Sequence, residues 1–231
     1  MKKHIIPTII CICLILLVFA CKKDGETEPE ITPNPTPESC GDLIIGGKTY
    51  ETVKIGDQCW MAENLDYYVG SGSWEIPFPE LEDYGMLYNF SNAKLGAPVG
   101  WHLPTLDDWL ELAQFISDQH GGYEIALEDY EWLNVGGHLK ATTGWPSDFW
   151  AGTDDYNFAV YPAGNRHYDL STGDDSYDPR GMFAFYWTST QEADGRVRMI
   201  MFEYNTDSFI TTWLEEVRLV GDGYSVRYVK D

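Results

Sequence analysis

Basic side chains are scarce in this 231-residue chain: 15 lysines and arginines stand against 37 aspartates and glutamates, a formal charge of −22. That deficit excludes nucleic-acid binding, which needs a basic footprint to neutralise phosphates. Cysteine is thin as well, with five in all and none after Cys59. No stretch reaches the ~20 apolar residues that a membrane-spanning helix needs. No unit recurs at a fixed period, which excludes a solenoid. Gly144-Trp145 echoes Gly100-Trp101 only locally. The chain also has neither a G-x-S-x-G nucleophile elbow nor the spacing of an EF-hand loop.

What is present begins with an address. Lys2 and Lys3 precede an apolar run from Ile5 to Ala20, the layout of a secretory signal over residues 1–20. The run ends Leu17-Val18-Phe19-Ala20-Cys21 and switches abruptly to Lys22-Lys23-Asp24. This resembles a bacterial lipobox. The resemblance implies cleavage after Ala20 and lipids on Cys21, and a multiply acylated terminus is a stable membrane anchor. Residues 21–38 read as a tether, with Pro29, Pro33, Pro35 and Pro37 among Glu and Thr, a composition that builds no core. Asp24, Glu26 and Glu28 just beyond Cys21 loosely resemble the export signals of Bacteroidetes surface lipoproteins. They imply an outer-membrane location facing the cell exterior.

Residues 39–231 have the length of one domain. Cys40 and Cys59 are an even pair in an oxidising compartment and are expected to bridge, which stabilises such a short loop by about 3 kcal/mol. The clearest local signal is the stretch Gly100 to Ile116. Pro104 forces an extended arrival. Thr105 is an N-cap, Asp107 and Asp108 fall in the first turn, and Asp108 can close a capping box. Leu106, Trp109, Leu110, Ala113 and Ile116 share one face, and His120-Gly121-Gly122 stops the helix. Strands are expected at Leu43 to Ile45, Tyr50 to Ile55, Gln58 to Leu65, Gly85 to Phe90, Asn157 to Pro162, Phe183 to Thr190, Arg196 to Tyr204 and Ser225 to Val229. Ser91 is expected to cap a short helical turn, and Glu124 to Leu133 has helical character.

The motifs GDQCWMAENLDY, YGMLYNFSNA, GWHLPTLDDWLEL, LKATTGW, NFAVYPAGNR, FYWTSTQ and YSVRYVKD occur in this order between Lys48 and Asp231. In that order they resemble the Fibrobacter succinogenes major paralogous domain family. The resemblance implies an α+β, C-type lectin-like fold: two helices with small antiparallel sheets, long irregular loops, and terminal strands brought together. Two positions where the family often has cysteines are Ala97 and Tyr228 here. The calcium and sugar motifs of calcium-dependent lectins are missing.

Nine tryptophans, fifteen tyrosines and ten phenylalanines suit a loop-heavy core or a ligand platform. Trp60, Trp101, Trp109 and Trp187 are assigned to the core. Trp74, Trp145, Trp150 and Trp213 sit beside or within two residues of Gly, Ser, Thr or Pro, as stacking residues do. Tyr68, Trp74 and Phe78 are expected on an exposed loop. Asp154, Asp155, Asp169, Asp174, Asp175 and Asp178 crowd one region, which raises calcium, although such loops are usually solvated turns. His102, His120, His138 and His167 invite triads with nearby acids and Ser189. His102 is more simply structural, and His120 a charge at a helix C-terminus. The helix start also resembles the formylglycine-generating branch of the broad fold, whose chemistry needs late cysteines that this chain lacks. No enzymatic activity, catalytic residue, metal site or cofactor is therefore expected. The expected function is binding of an extracellular glycan or surface protein, with Trp150, Asp154, Asp155 and Trp213 as ligand residues. The alternative is an envelope structural component without a soluble ligand.

Overall fold

The computed structural model describes residues 38–78, 84–126, 130–146, 152–177 and 181–231. The signal, the tether, Cys21 and Trp150 lie outside the described residues. The architecture is α+β, built from small antiparallel sheets around one long helix. No helix among the described residues is long and apolar enough to cross a membrane.

Strands β1 (Leu43–Ile45) and β2 (Lys48–Tyr50) form a hairpin. Both residues of its turn, Gly46 and Gly47, have positive φ, the left-handed backbone that glycine adopts without a Cβ clash. β3 (Thr52–Ile55) and β4 (Gln58–Met61) form a second hairpin about Gly56 and Asp57. Cys40 and Cys59 are joined by a disulfide with Cα atoms 6.1 Å apart.

The chain's last strand, β15 (Val229–Lys230), inserts between β4 and β7 (Trp101–His102), with Val229 opposite both Trp60 and His102. Both ends of the domain thus share one four-stranded sheet, in the order β3-β4-β15-β7. A five-stranded sheet runs β12 (Phe183–Gln191), β13 (Val197–Glu203), β14 (Phe209–Leu214), β9 (Tyr130–Leu133), β8 (Tyr123–Ala126). Two-stranded pairs complete the fold: β5 (Ser73–Trp74) with β6 (Leu87–Tyr88), and β10 (Arg166–Tyr168) with β11 (Asp175–Tyr177).

Helix α2 (Leu106–His120) starts as its sequence dictates. Thr105 accepts from the Asp108 N–H and the Asp108 carboxylate accepts from the Thr105 N–H, a complete capping box; Gly121 ends the helix at φ 73°. Trp109, Leu112, Ala113, Ile116 and Ser117 form the buried stripe. Leu106 and Leu110 flank it half-buried, while Glu111, Gln114 and Asp118 are exposed. Trp109 is the hub of one core, with ring centroids 4.7 Å from Trp60, 5.5 Å from Tyr186 and 5.9 Å from Phe158. Because β12 and β13 alternate, their other face feeds a second core. Trp187, Val197 and Met199 pack there with Phe90 and Ala93 of α1 (Phe90–Leu95) and with Tyr50, Tyr88 and Tyr228.

Several expectations change. Besides α2, the described residues form two short α-helices, α1 and α3 (Gly136–Leu139). The N-cap of α1 is Asn89, whose side chain accepts from the Asn92 N–H, not Ser91. Glu124 to Leu133 is not helical: β8 and β9 form a hairpin there, with Trp132 opposite Phe209 of β14. Long-range pairing overrides a weak local preference. Asn157 to Pro162 is not a strand either, because Asn157 and Ala159 have positive φ and only Val160 makes a bridge, to Lys140. Ser225 to Arg227 precede the true final strand and make isolated bridges or side-chain bonds instead. Gly136-Gly137 opens α3: a Cβ on Gly136 would lie 2.2 Å from the Ser208 carbonyl. Of Tyr68, Trp74 and Phe78 only Tyr68 is exposed. Trp74 lies under the Arg166 guanidinium at 4.0 Å, and Phe78 meets Tyr177 edge-on.

Tyr228 fills its position with a hydroxyl that donates to the Ala93 carbonyl at 2.9 Å. The end of the chain is thereby tied to α1 without a bridge at residues 97 and 228.

The buried phenols set the alkaline limit of the fold. Burial pushes Tyr50 and Tyr156 up to about 12 and raises Tyr88, Tyr186 and Tyr228 as well. Buried Lys140 moves the other way, down to about 8, with Asp207 and Glu203 opposing the shift. A lysine whose folded pKa lies below its unfolded value of about 10.4 adds stability as pH rises between the two. A raised tyrosine contributes stability that is complete below its unfolded pKa of about 10 and is lost as pH climbs through the folded value. Urea unfolding is therefore expected to show stability rising from pH 8 to about 10 and falling beyond it. Tyrosinate absorbance should grow in together with unfolding. Full ionisation near pH 10 with the fold intact would contradict this.

Candidate functional site

The C-terminal half of α2 carries two adjoining features. His120 is the helix's last residue, and its carbonyl accepts from Asn134 Nδ2 at 2.8 Å. His138 sits in α3, and the loop from Gly152 to Ala159 folds back across that helix. The Thr153 N–H donates to the Gly137 carbonyl and the Asp155 N–H to the His138 carbonyl. This pairing delivers the Asp155 carboxylate to His138 Nδ1 at 2.6 Å. The imidazoles of His120 and His138 stack with centroids 3.6 Å apart, and Tyr156 Oη lies 2.9 Å from His120 Nε2. One ligand atom from each of His120, His138 and Asp155 falls within 4.8 Å of the others, and all three residues are half-buried. Burial, and then the neighbouring His138, lowers the His120 pKa, with Asp155 opposing. Two imidazoles beside a carboxylate form a donor set for a divalent cation.

The other feature is a groove of about 470 Å³ between α2 and the β3–β4 turn, lined by Gly56, Asp57, Gln58, Glu111, Gln114 and Phe115 among others. Phe115 joins the two features, because its ring meets Tyr156 edge-on at 6.1 Å. Gly56 permits the approach: a Cβ there would stand 3.0 Å from the Phe115 ring.

The loop that carries Asp155 is held from beneath by Arg227. Its guanidinium is buried against Phe158 at 4.3 Å. It donates to the Phe158 carbonyl, to the Ala159 carbonyl at 2.8 Å and to Asn64 Oδ1 at 2.9 Å. Asp154 Oδ1 accepts from the Ala159 N–H at 2.7 Å, and burial raises its pKa, with Ala159 and Arg227 opposing. Asp154, Asn157 and Ala159 all have positive φ. Asp and Asn tolerate this region, whereas for Ala it costs about 1–2 kcal/mol. The bonds to both sides of Ala159 hold it there.

The residues singled out from sequence fare differently. Asp155 joins the histidine cluster, whereas Asp154 braces its own loop. Trp213 lies on β14 opposite Arg198, with the guanidiniums of Arg198 and Arg196 over its ring at 3.1 and 4.4 Å. Trp150 and Asp178 fall outside the described residues. Trp145 is core, its Nε1 donating to the Val160 carbonyl. Asp169 caps its own turn through Ser171 and Thr172, and Asp175 pairs with Arg166. His102 bridges Asp108 and Asp231, and His167 sits beside Asp222 and Arg218. Ser189 donates its N–H to the Pro104 carbonyl. Sequence reading missed the groove and the His120–His138 pairing. The two histidines lie on separate elements, and no spacing signal connects them.

These features define a small α+β domain whose potential binding chemistry sits beside one long helix. Residues 53–230 match the Fibrobacter succinogenes major domain, and the chain belongs to that family. No curated protein and no solved structure matches it.

Replacing Arg227 with Met should destabilise the domain by about 3–5 kcal/mol in urea unfolding, because the carbonyls it satisfies stay buried without donors. Hydrogen exchange at the Ala159 amide should accelerate more than in α2. An unchanged midpoint would refute the bracing role.

Proposed function

We propose that this protein is a lipid-anchored, outer-surface binding module with a C-type lectin-like fold, recognising a glycan or surface protein and performing no catalysis. One observation carries the binding reading: the groove beside Phe115, whose volume of about 470 Å³ is of the size that small ligands fill. An aromatic ring flanked by the amide of Gln114 and the carboxylates of Asp57 and Glu111 suits a sugar ring. The ring offers C–H faces to the aromatic and hydroxyls to the flanks. Sharing of one sheet by β4, β7 and β15 supports the lectin-like reading. The Ala20-Cys21 junction supports the anchor, and the acidic residues after it support the exterior location in a Bacteroidetes-type envelope. The absence of cysteine beyond Cys59 and the joining of Cys40 to Cys59 support a role without thiol chemistry.

A glycan array probed with the detergent-extracted chain, with and without calcium, is expected to give calcium-independent hits. Phe115→Ala should weaken them tenfold or more, on the order of 1.4 kcal/mol. Silence in both conditions would sink the glycan reading and favour a structural envelope component. Separately, Cys21→Ser should move the protein from the membrane fraction to the soluble one. Continued co-sedimentation with membranes would overturn the lipid assignment.

A further inference from the structure

We infer that His120, His138 and Asp155 form a binding site for one divalent transition-metal ion of the zinc class. The site goes beyond glycan or protein recognition and does not depend on it. Three observations carry it together.

The first is the donor set. Two imidazoles and one carboxylate, each with a ligand atom within 4.8 Å of the other two, match the three-ligand sites that zinc uses with a fourth position left open. Zinc bonds of about 2.0–2.2 Å place tetrahedral donors about 3.4 Å apart. The widest pair therefore closes by little more than an ångström, within reach of an imidazole rotation.

The second is the arrangement of the rings. His120 and His138 lie ring against ring at 3.6 Å, which brings their nitrogens close; since each lone pair lies in its ring plane, one ring must swing out of the stack to share an ion, while a carboxylate oxygen already touches His138 Nδ1. A cation entering there takes over the contact between His138 and Asp155, and its charge is countered by that carboxylate. Ligation through Nδ1 moves the imidazole proton to Nε2.

The third is the support around the donors. Tyr156 Oη holds His120 through Nε2 at 2.9 Å, and the Asp155 N–H is fixed on the His138 carbonyl at 3.0 Å. Outer contacts of this kind orient metal-bound imidazoles. The surrounding charge also favours the ion, since the whole chain carries a formal −22 and such a field concentrates cations.

The ion would tie the end of α2, helix α3 and the Gly152 to Ala159 loop to one centre. Three protein donors leave a further coordination position, at which a water or a ligand oxygen can bind. Two nitrogen donors make the site selective against calcium, which takes six to eight oxygens.

The test uses the mature lipid-bearing chain in detergent, in which Cys40 and Cys59 are bridged and Cys21 carries lipid, stripped with EDTA and titrated with zinc chloride. One ion per chain should bind with micromolar or tighter affinity, and the melting temperature should rise by about 5 °C at a hundredfold excess over Kd. Millimolar calcium should leave the zinc isotherm unchanged. Asp155→Asn should weaken binding at least tenfold, and His120→Gln with His138→Gln should abolish it. Without any variant at the site, zinc should protect two histidines from carbethoxylation, mapped by peptide mass. Absence of saturable zinc binding, full affinity in the double variant, or protection of neither histidine would each overturn the site.

Discussion

The buried guanidinium of Arg227 is the constraint on which the rest of the structure depends. Its environment disfavours the charge, and burial lowers its pKa, with Tyr186 and Asp154 opposing. A buried charge persists only where its donors are satisfied. Arg227 meets that demand by taking carbonyls from Met61, Phe158 and Ala159 and the side-chain oxygen of Asn64. Asn64 in turn accepts from Tyr186 Oη and donates to the Tyr84 carbonyl. One residue near the C-terminus thus fixes the exit of β4, the centre of β12 and the loop that ends at Val160, three segments far apart in sequence. The bonds are also directional, so they specify an arrangement where apolar packing alone would tolerate several.

Beneath that network the sheet of β12 and β13 is buried on both faces. Ile200 and Phe202 belong to the Trp109 core, while Val197 and Met199 belong to the Trp187 core. A strand buried on both sides loses the alternation of apolar and polar residues that marks a half-exposed strand. Arg198 lies within that buried stretch and is accommodated by the indole of Trp213 across the ladder. The Trp213 ring, which by its sequence neighbours suits a ligand platform, serves the fold instead by shielding a nearly buried arginine on a strand that has no polar face to offer it.

How much of this was legible in the sequence follows from the range of the forces involved. Helix α2 could be read to its caps because Thr105, Asp108 and Gly121 act within a turn of themselves. The Gly46-Gly47 turn and strands β12 and β13 were legible for the same reason. The stretch from Tyr123 to Leu133 was not. Its conformation is decided by the register of β14 with β9, more than seventy residues downstream. The bend at Asp154 to Ala159 was hidden likewise, because Arg227 and a side-chain bond from Asp154 hold it, and neither interaction leaves a local pattern. For the candidate site the legible part was Asp155, flagged by its acidic neighbourhood. Of the partner histidines, His120 was read as a helix-end charge and His138 only as one of four histidines that invite triads. Nothing in a linear spacing of eighteen residues says that two imidazoles will stack.

The same elements show why the candidate chemistry gathers on the later turns of α2 and not at its start. The capping box consumes Thr105 and Asp108, and the buried stripe consumes Trp109, Leu112, Ala113 and Ile116. What remains for partners is the exposed flank of Glu111, Gln114 and Asp118, together with the terminus, where carbonyls outnumber donors. Asn134 satisfies one of those carbonyls at His120 and holds that residue in place, so the imidazole is positioned by the need to finish the helix. α3 begins at Gly136 because only glycine fits against Ser208, and this close approach sets His138 over His120. The loop braced by Arg227 then supplies Asp155 from the third side. Each donor is therefore positioned by a structural requirement of its own element. Such a site needs no dedicated scaffold, and a metal ion or polar ligand arriving there meets groups already paid for by folding.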